Sequence, residues 1–170
     1  MLNRTVFQAL AAALRLDPAG AAASALIRRA YANPSPAQPA PEADAVYFHL
    51  APDGDVPPLR EDSFDAGFRF APYRLNLVFY GPRAESLAWQ VWHHLYQDGT
   101  GSPRCILRGQ GIYPVPHPYS PVLVWEEAGK EHRPRADLEL DLRIRSREEA
   151  PPLDPELAEV PPEIRLEPCP

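Results

Sequence analysis

Cysteine, long apolar runs and an intact targeting signal are all scarce or missing in this sequence of 170 residues. Only Cys105 and Cys169 are present, too few for a disulfide framework or a zinc site, which favours free thiols in a reducing compartment. No stretch approaches the ~20 apolar residues that a membrane span requires. The apolar N-terminal run resembles a signal peptide, but Gln8 and Asp17 interrupt it.

Basic residues are also in short supply. The chain has 17 Lys and Arg against 23 Asp and Glu, a net charge of -6. Proteins whose main task is to grip nucleic acid concentrate Lys and Arg on one face. The balance therefore argues against such a protein, and it permits a surface past which DNA slides without being held.

Catalytic motifs are missing as well, because the sequence contains neither G-x-S-x-G nor H-E-x-x-H. His93 and His94 are adjacent in a predicted helix, so their side chains diverge by about 100° and cannot share one metal ion without distortion. The glycine-rich segment 98–111 lacks the Walker spacing of a phosphate-binding loop. The sequence predicts no catalytic, cofactor-binding or metal-binding residue.

Proline, in contrast, is abundant. The 23 prolines cluster in residues 33–41, 114–121 and 151–170, outside the periodic segments. We therefore expect one domain over residues 1–147, with a Pro/Ala linker at 33–44 inside it, and an acidic Pro-rich C-terminal extension at 148–170. Residues 160–168 of the extension could add an edge strand.

The clearest local pattern is a strand that leads through one glycine into a helix. Alternating apolar residues predict a strand over Tyr73–Tyr80 with one buried face. Gly81 then stands at an N-cap position, Pro82 at the first helical position and Glu85 in the first turn. Apolar residues at spacings of three and four predict that the helix continues to about Gln97.

Weaker patterns complete the predicted fold. They predict helices over residues 3–16 and 21–31 and strands over 45–50, 122–127 and 136–145. They also predict an acidic loop over 56–71, with a hairpin arm as an alternative for part of it, and a mobile loop over 98–111. The element order is α-α-β-β-α-β-β. This order predicts the α+β class, with a mostly antiparallel sheet of four to five strands, helices packed on one face, and long loops.

The last predicted strand has a polar face opposite its leucines. Its members are the candidate interface residues Asp137, Glu139, Asp141, Arg143 and Arg145. A solvated surface is the common role of such a face, and a surface presented to neighbouring copies or to an enclosed channel is the alternative. Arg104 and Arg108, in the predicted 98–111 loop, are candidate contact residues.

Two stretches resemble a known family. FYGP at Phe79–Pro82 is followed by an Ala-rich amphipathic helix, and the late strand reads R-x-D-L-x-L-x-L from Arg135 to Leu142. These stretches resemble the neck and tail terminator proteins of tailed bacteriophages, and the resemblance covers Tyr47–Arg145.

The resemblance implies a structural virion protein without enzymatic activity or cofactor. It implies a ring, six-fold in copy number, that is assembled in the host cytoplasm and resides at the neck of the virion. There it caps the tail tube and joins it to the head connector. The implied partners are further copies of the chain, the tube protein, the connector or neck proteins, and DNA that passes through the ring without specific binding. A tail sheath protein is a further partner only if the tail has a sheath, and no membrane is involved.

Two alternatives stay open at this stage. One is a small hydrolase or nucleotide-binding enzyme that uses the 98–111 loop together with His93 or His94. The other is an adaptor domain that binds a partner through its Pro-rich extension.

Overall fold

A computed structural model describes residues 2–30, 40, 42–55, 59–60, 68–96, 101–116, 120–128 and 131–147. The helices in these ranges are α1 (Leu2–Ala13), α2 (Ala21–Leu26), α3 (Ala84–Tyr96) and α4 (Pro103–Arg108). The strands are β1 (Ile27–Arg29), β2 (Ala45–Pro52), β3 (Leu59–Arg60), β4 (Phe68–Tyr80), β5 (Ile112–Pro114), β6 (Val122–Ala128) and β7 (Glu131–Arg147).

The strands form one sheet in the order β1-β2-β4-β7-β5, with β3 also paired to β4 and β6 also paired to β7. All pairs are antiparallel except β1 with β2. The predicted α+β class with a mostly antiparallel sheet is confirmed. The predicted strand number is too low, because β1, β3 and β5 have two or three residues each and are too short to show an alternating pattern.

The long strands β4 and β7 form the centre of the sheet. They pair without interruption from Phe68 opposite Arg147 to Tyr80 opposite Arg135. Alternate residues on one face are buried, and this face packs under α3, which contacts both strands. The buried residues of the two strands are Leu75, Leu77, Phe79, Ala136, Leu138, Leu140, Leu142 and Ile144. The faces predicted from the alternation are therefore correct.

The second predicted helix is too long at its C-terminal end. The helix ends at Leu26, and Ile27 adopts an extended conformation with φ -99° and ψ 122°. Ile27 is β-branched and buried, and β1, which it begins, pairs in parallel with Val46–Phe48 of β2. Tertiary pairing to β2 therefore overrides the helical pattern that residues 21–31 show in isolation.

The start of α3 also differs from the prediction, because the helix begins three residues after Gly81. Gly81 has φ 100°, and its N–H donates to the carbonyl of Pro134 in β7 at 3.2 Å. The N-terminal cap comes from a distant residue: Asp44 Oδ1 accepts the N–H of Arg83 at 3.0 Å, and Asp44 Oδ2 accepts Arg83 Nε at 2.6 Å. A carboxylate at this position compensates both an orphan N–H and the helix dipole.

Several expectations lie partly or wholly outside the described residues. They are the Pro/Ala linker at 33–44, most of the acidic loop at 56–71, the predicted end of the central helix at residue 97, and the extension at 148–170. Where the structure does describe the predicted loop, at 59–60 and 68–71, the residues belong to the strands β3 and β4 and not to a loop. In the ranges that the structure covers, no helix is both long enough and apolar enough to cross a membrane.

Candidate interface: the open sheet face and the free edge of β6

The five candidate residues of β7 lie together on the sheet face opposite the helices. In the register with β4, Glu139 stands opposite Asn76 and Asp141 opposite Arg74. Glu139 and Arg145 are exposed, whereas Asp137, Asp141 and Arg143 are partly exposed. The structure thus gathers the residues on one open surface, which is here called the polar face.

Ion pairs occupy several of the carboxylates on the polar face. Arg135 donates to both oxygens of Asp137, at 2.7 and 2.8 Å. Arg74 Nη2 donates to Asp53 Oδ2 at 3.0 Å, and Arg74 Nε lies 3.7 Å from Asp141 Oδ1. The attraction of Asp53 raises the pKa of Arg74, and the hydrogen bond to Asp137 raises the pKa of Arg135. The polar face therefore carries several arginine–aspartate ion pairs.

Arg133 is a buried cation that the sequence patterns did not single out. Only 3% of the residue is exposed, and its guanidinium lies 4.1 Å from the centre of the Tyr80 ring. Its Nε and Nη2 donate to Glu126 Oε2 at 3.2 and 3.0 Å. Burial raises the pKa of Tyr80 above its ordinary value. Arg133 thereby joins β6 to β4 across β7.

The carboxylates of the antiparallel pair β6–β7 do not form a common site in the part of the chain that the structure describes. Glu126 pairs with Arg133, and Asp137 pairs with Arg135. Glu127 lies on the opposite face of β6, because neighbouring strand residues alternate between faces. Across the described ranges there is also no group of three His, Cys, Asp or Glu side chains that could hold a metal ion.

The predicted loop at 98–111 is partly a helix, which corrects the sequence interpretation. Ser102 is the N-cap of α4, and its Oγ accepts the N–H of Cys105 at 3.2 Å. Pro103 follows at the start of the helix, where its missing N–H costs nothing. Both candidate contact residues lie on α4: Arg104 donates to the carbonyl of Tyr96 at 3.4 Å, and Arg108 is exposed in the last turn.

His93 and His94 have different environments. His94 Nδ1 lies 2.8 Å from the carbonyl oxygen of Ala13, which also accepts a hydrogen bond from Gln90 Nε2 at 3.1 Å. His94 therefore helps to satisfy a carbonyl at the C-terminal end of α1. His93 is exposed. The side chain of His94 thus links α3 to α1, whereas that of His93 faces solvent, so the two do not converge on one point.

The strand β6 exposes apolar side chains on both of its faces. Val122 and Val124 stand opposite Asp137 and Arg135 and therefore share the polar face. The exposed fractions are 60% for Val122, 52% for Leu123, 36% for Val124 and 71% for Trp125. A continuous apolar run is typical of a strand that is covered on both faces, and in the described structure nothing covers this one.

The backbone of β7 shows which groups of β6 are free, because the N–H and C=O of a strand residue point to the same side and neighbours point to opposite sides. The carbonyl of Pro134 accepts from Gly81 on the β4 side. The backbone groups of its neighbours Arg133 and Arg135 therefore point towards β6. Asp141 lies an even number of residues from Arg133 and Arg135, so its backbone groups point to the same side of β7 as theirs. Its carbonyl accepts the N–H of Val115, just after β5, which shows that β5 and β6 lie on the same side of β7.

It follows that Val124 and Glu126, the register partners of Arg135 and Arg133, direct their backbone groups inwards to β7. Leu123, Trp125 and Glu127 then direct three N–H and three C=O groups outwards. No strand of the described ranges pairs with this side of β6. We call this side the free edge. An exposed apolar free edge is a surface that another strand can extend.

A scan of the sequence against models of protein families finds no match, and a search of curated proteins finds none either.

Proposed function

We propose that this chain is a structural subunit of a tailed bacteriophage, without catalytic activity, that forms a ring at the end of the tail tube. The ring caps the tube and joins it to the head connector, and DNA passes through it without specific binding. The subunit is assembled in the host cytoplasm and resides at the neck of the virion.

The single observation that carries this proposal is the strand β6. Val122–Trp125 is apolar on both faces and lies at a free edge, so the fold of one copy leaves an incomplete sheet. On a protein that stays monomeric, such a surface carries a risk of aggregation. A subunit whose neighbours complete its sheet requires an exposed edge of this kind. The resemblance of stretches within Tyr47–Arg145 to terminator proteins is the reason for proposing this particular assembly.

The charge distribution refines the proposed relation to DNA. Residues 148–170 contain seven acidic residues and one basic residue, Arg165, so this extension accounts for the whole net charge of -6. Residues 1–147 contain equal numbers of acidic and basic residues. Repulsion of DNA phosphates would therefore come from the extension, and the folded part would neither attract nor repel DNA strongly.

Electron microscopy of virions that contain this chain tests the proposal. Antibodies against residues 1–147 should label the junction of head and tail, and averaged images should show a ring of density there. Purified chain added to polymerising tube protein of the same virus should stop tube growth at substoichiometric amounts. Absence of the chain from the neck, together with no effect on tube growth, would refute the proposal.

A further inference from the structure

The free edge of β6 also fits a second copy of itself, and this fit follows from the positions of its inward and outward residues. In an antiparallel pair, the outward residues of the two strands must face each other to exchange hydrogen bonds. A two-fold axis at Val124 meets this condition. It sets Leu123 of one copy opposite Trp125 of the partner subunit, and Val124 opposite Val124 of the partner subunit.

We propose that the free chain forms a two-fold dimer in which the β6 strands of two copies pair antiparallel about Val124. Leu123 and Trp125 of each copy would then exchange four main-chain hydrogen bonds with the partner subunit. The two sheets would become one continuous sheet, with the helices of both copies on the same side, because facing residues of an antiparallel pair share a face.

The side chains support this register. Leu123 would pack beside Trp125 of the partner subunit on the helix side, and the two Val124 side chains would meet on the polar face. Glu126 would stand opposite Val122 of the partner subunit, and Glu127 opposite Pro121 of the partner subunit. The glutamates of the two copies are thus at opposite ends of the contact, so no like charges face each other.

The exposed area is sufficient for a reversible dimer. The four apolar side chains of one copy expose roughly 400 Å², a patch size that on monomeric proteins often marks a contact surface. Edge-to-edge pairing covers the flanks of these side chains and leaves their outer ends in water, so the contact stays below the ~1,200 Å² at the low end of specific interfaces, in the range of weak, reversible contacts. We expect a dissociation constant of about 1–100 µM.

This dimer goes beyond the proposed ring. A two-fold contact uses the same surface on both copies and closes at two, so it cannot generate a cyclic ring by itself. The dimer is therefore a state of the free chain, and it protects the apolar free edge of β6 before assembly. Loss of the dimer would leave the proposed function standing, and loss of the ring would leave the dimer standing.

Sedimentation of the full chain at concentrations around the expected dissociation constant tests the dimer. The average mass should rise from 18.9 kDa towards twice that value as the concentration passes the dissociation constant. Trp125→Lys should lower the affinity at least tenfold without loss of circular dichroism signal, because it places a charge in the contact. Trp89→Lys is the matched control: Trp89 is the other exposed tryptophan, at 42%, and lies on α3, so this variant should dimerise as the parent does.

Disulfide trapping tests the register. In a background with Cys105→Ser and Cys169→Ser, Val124→Cys should form an intermolecular disulfide under mild oxidation, because the two Cα atoms at a non-hydrogen-bonded site are about 4.5 Å apart. Val122→Cys is the control and should stay reduced, since it faces residue 126 of the partner subunit.

Three results would overturn the inference. The first is a wild-type chain that stays monomeric above 100 µM. The second is a dimer that Trp125→Lys does not weaken, which would place the contact elsewhere. The third is a ring, without a dimer, that Trp125→Lys abolishes; this result would assign β6 to the ring contact and support the proposed function while it refutes the two-fold pairing.

Discussion

At the scale of single residues, Gly81 shows how a distant contact determines which amino acid a turn can hold. A Cβ atom at this position would lie 2.7 Å from Asp44 Cα and 2.8 Å from the carbonyl oxygen of Ala43, and φ is +100°. Both the close approach and the positive φ exclude a side chain. The FYGP stretch therefore needs glycine because residues 43–44 pack against it.

We predict that Gly81→Ala lowers the free energy of unfolding by about 2–4 kcal/mol, since strain and a backbone clash add. Urea denaturation measures the change. Gly54→Ala is the control, because a Cβ there meets nothing within 4 Å, and it should change the stability by less than about 0.5 kcal/mol. Equal effects of the two substitutions would contradict the role of the contact with Asp44.

Arg133 is a second residue whose importance is visible only in the structure. We predict that Arg133→Ala lowers the unfolding free energy by about 1–3 kcal/mol, because it removes a buried guanidinium from the Tyr80 ring and leaves Glu126 without this partner. Arg135→Ala, which breaks the more exposed pair with Asp137, should cost no more than about 1 kcal/mol. Thermal melts of both variants compare them, and a larger effect at Arg135 would refute the assignment.

At the scale of elements, β7 has one buried face, which packs in the core, and one polar face. Leu140 is 1% exposed, whereas its neighbour Glu139 is exposed. We predict that Leu140→Asp prevents folding, because an unpaired carboxylate would be buried in the core. Glu139→Lys should leave the fold intact and act only on assembly or DNA passage. Circular dichroism distinguishes the two, and equal damage from both would show that the face assignment is wrong.

Proline substitutions in the edge strand β6 test which of its residues direct their N–H groups towards β7 and which direct them outwards. Val124→Pro removes an N–H that points to β7 and should cost about 1–3 kcal/mol, whereas Leu123→Pro removes an outward N–H and should cost less than about 1 kcal/mol. Guanidinium unfolding measures both. If Leu123→Pro is the more damaging variant, the free edge has been assigned to the wrong residues.

At the scale of the whole molecule, charge is divided between a neutral part and an acidic extension. We predict that deletion of residues 148–170 leaves the melting temperature unchanged within about 2 °C, because the described ranges before residue 148 already form a continuous hydrophobic core, from Val6 to Ile144. The shortened chain should elute earlier from an anion exchanger and bind duplex DNA more strongly at low salt, since the acidic residues that repel phosphates are gone. A large fall in the melting temperature would instead show that the extension stabilises the fold.

Local patterns predicted a large part of this architecture and of the candidate site. Alternation in Leu138–Ile144 identified the buried face of β7 and thereby the polar face with Asp137, Glu139, Asp141, Arg143 and Arg145. Periodicity placed α3, and the β-branched and aromatic run at 45–50 placed β2. These features were predictable because the period of a strand or helix determines which residues share a face.

The remaining features depend on which segments meet. Ile27 is a strand residue because β2 lies beside it, α3 begins where Asp44 caps it, and Arg133 is buried because Tyr80 and Glu126 surround it. The sequence alone determined the α+β class and the two faces of the sheet, because periodicity is a local property of the chain. Only the tertiary structure decided that β6 is an uncovered edge, because the position of a strand within a sheet is set by contacts between residues far apart in sequence.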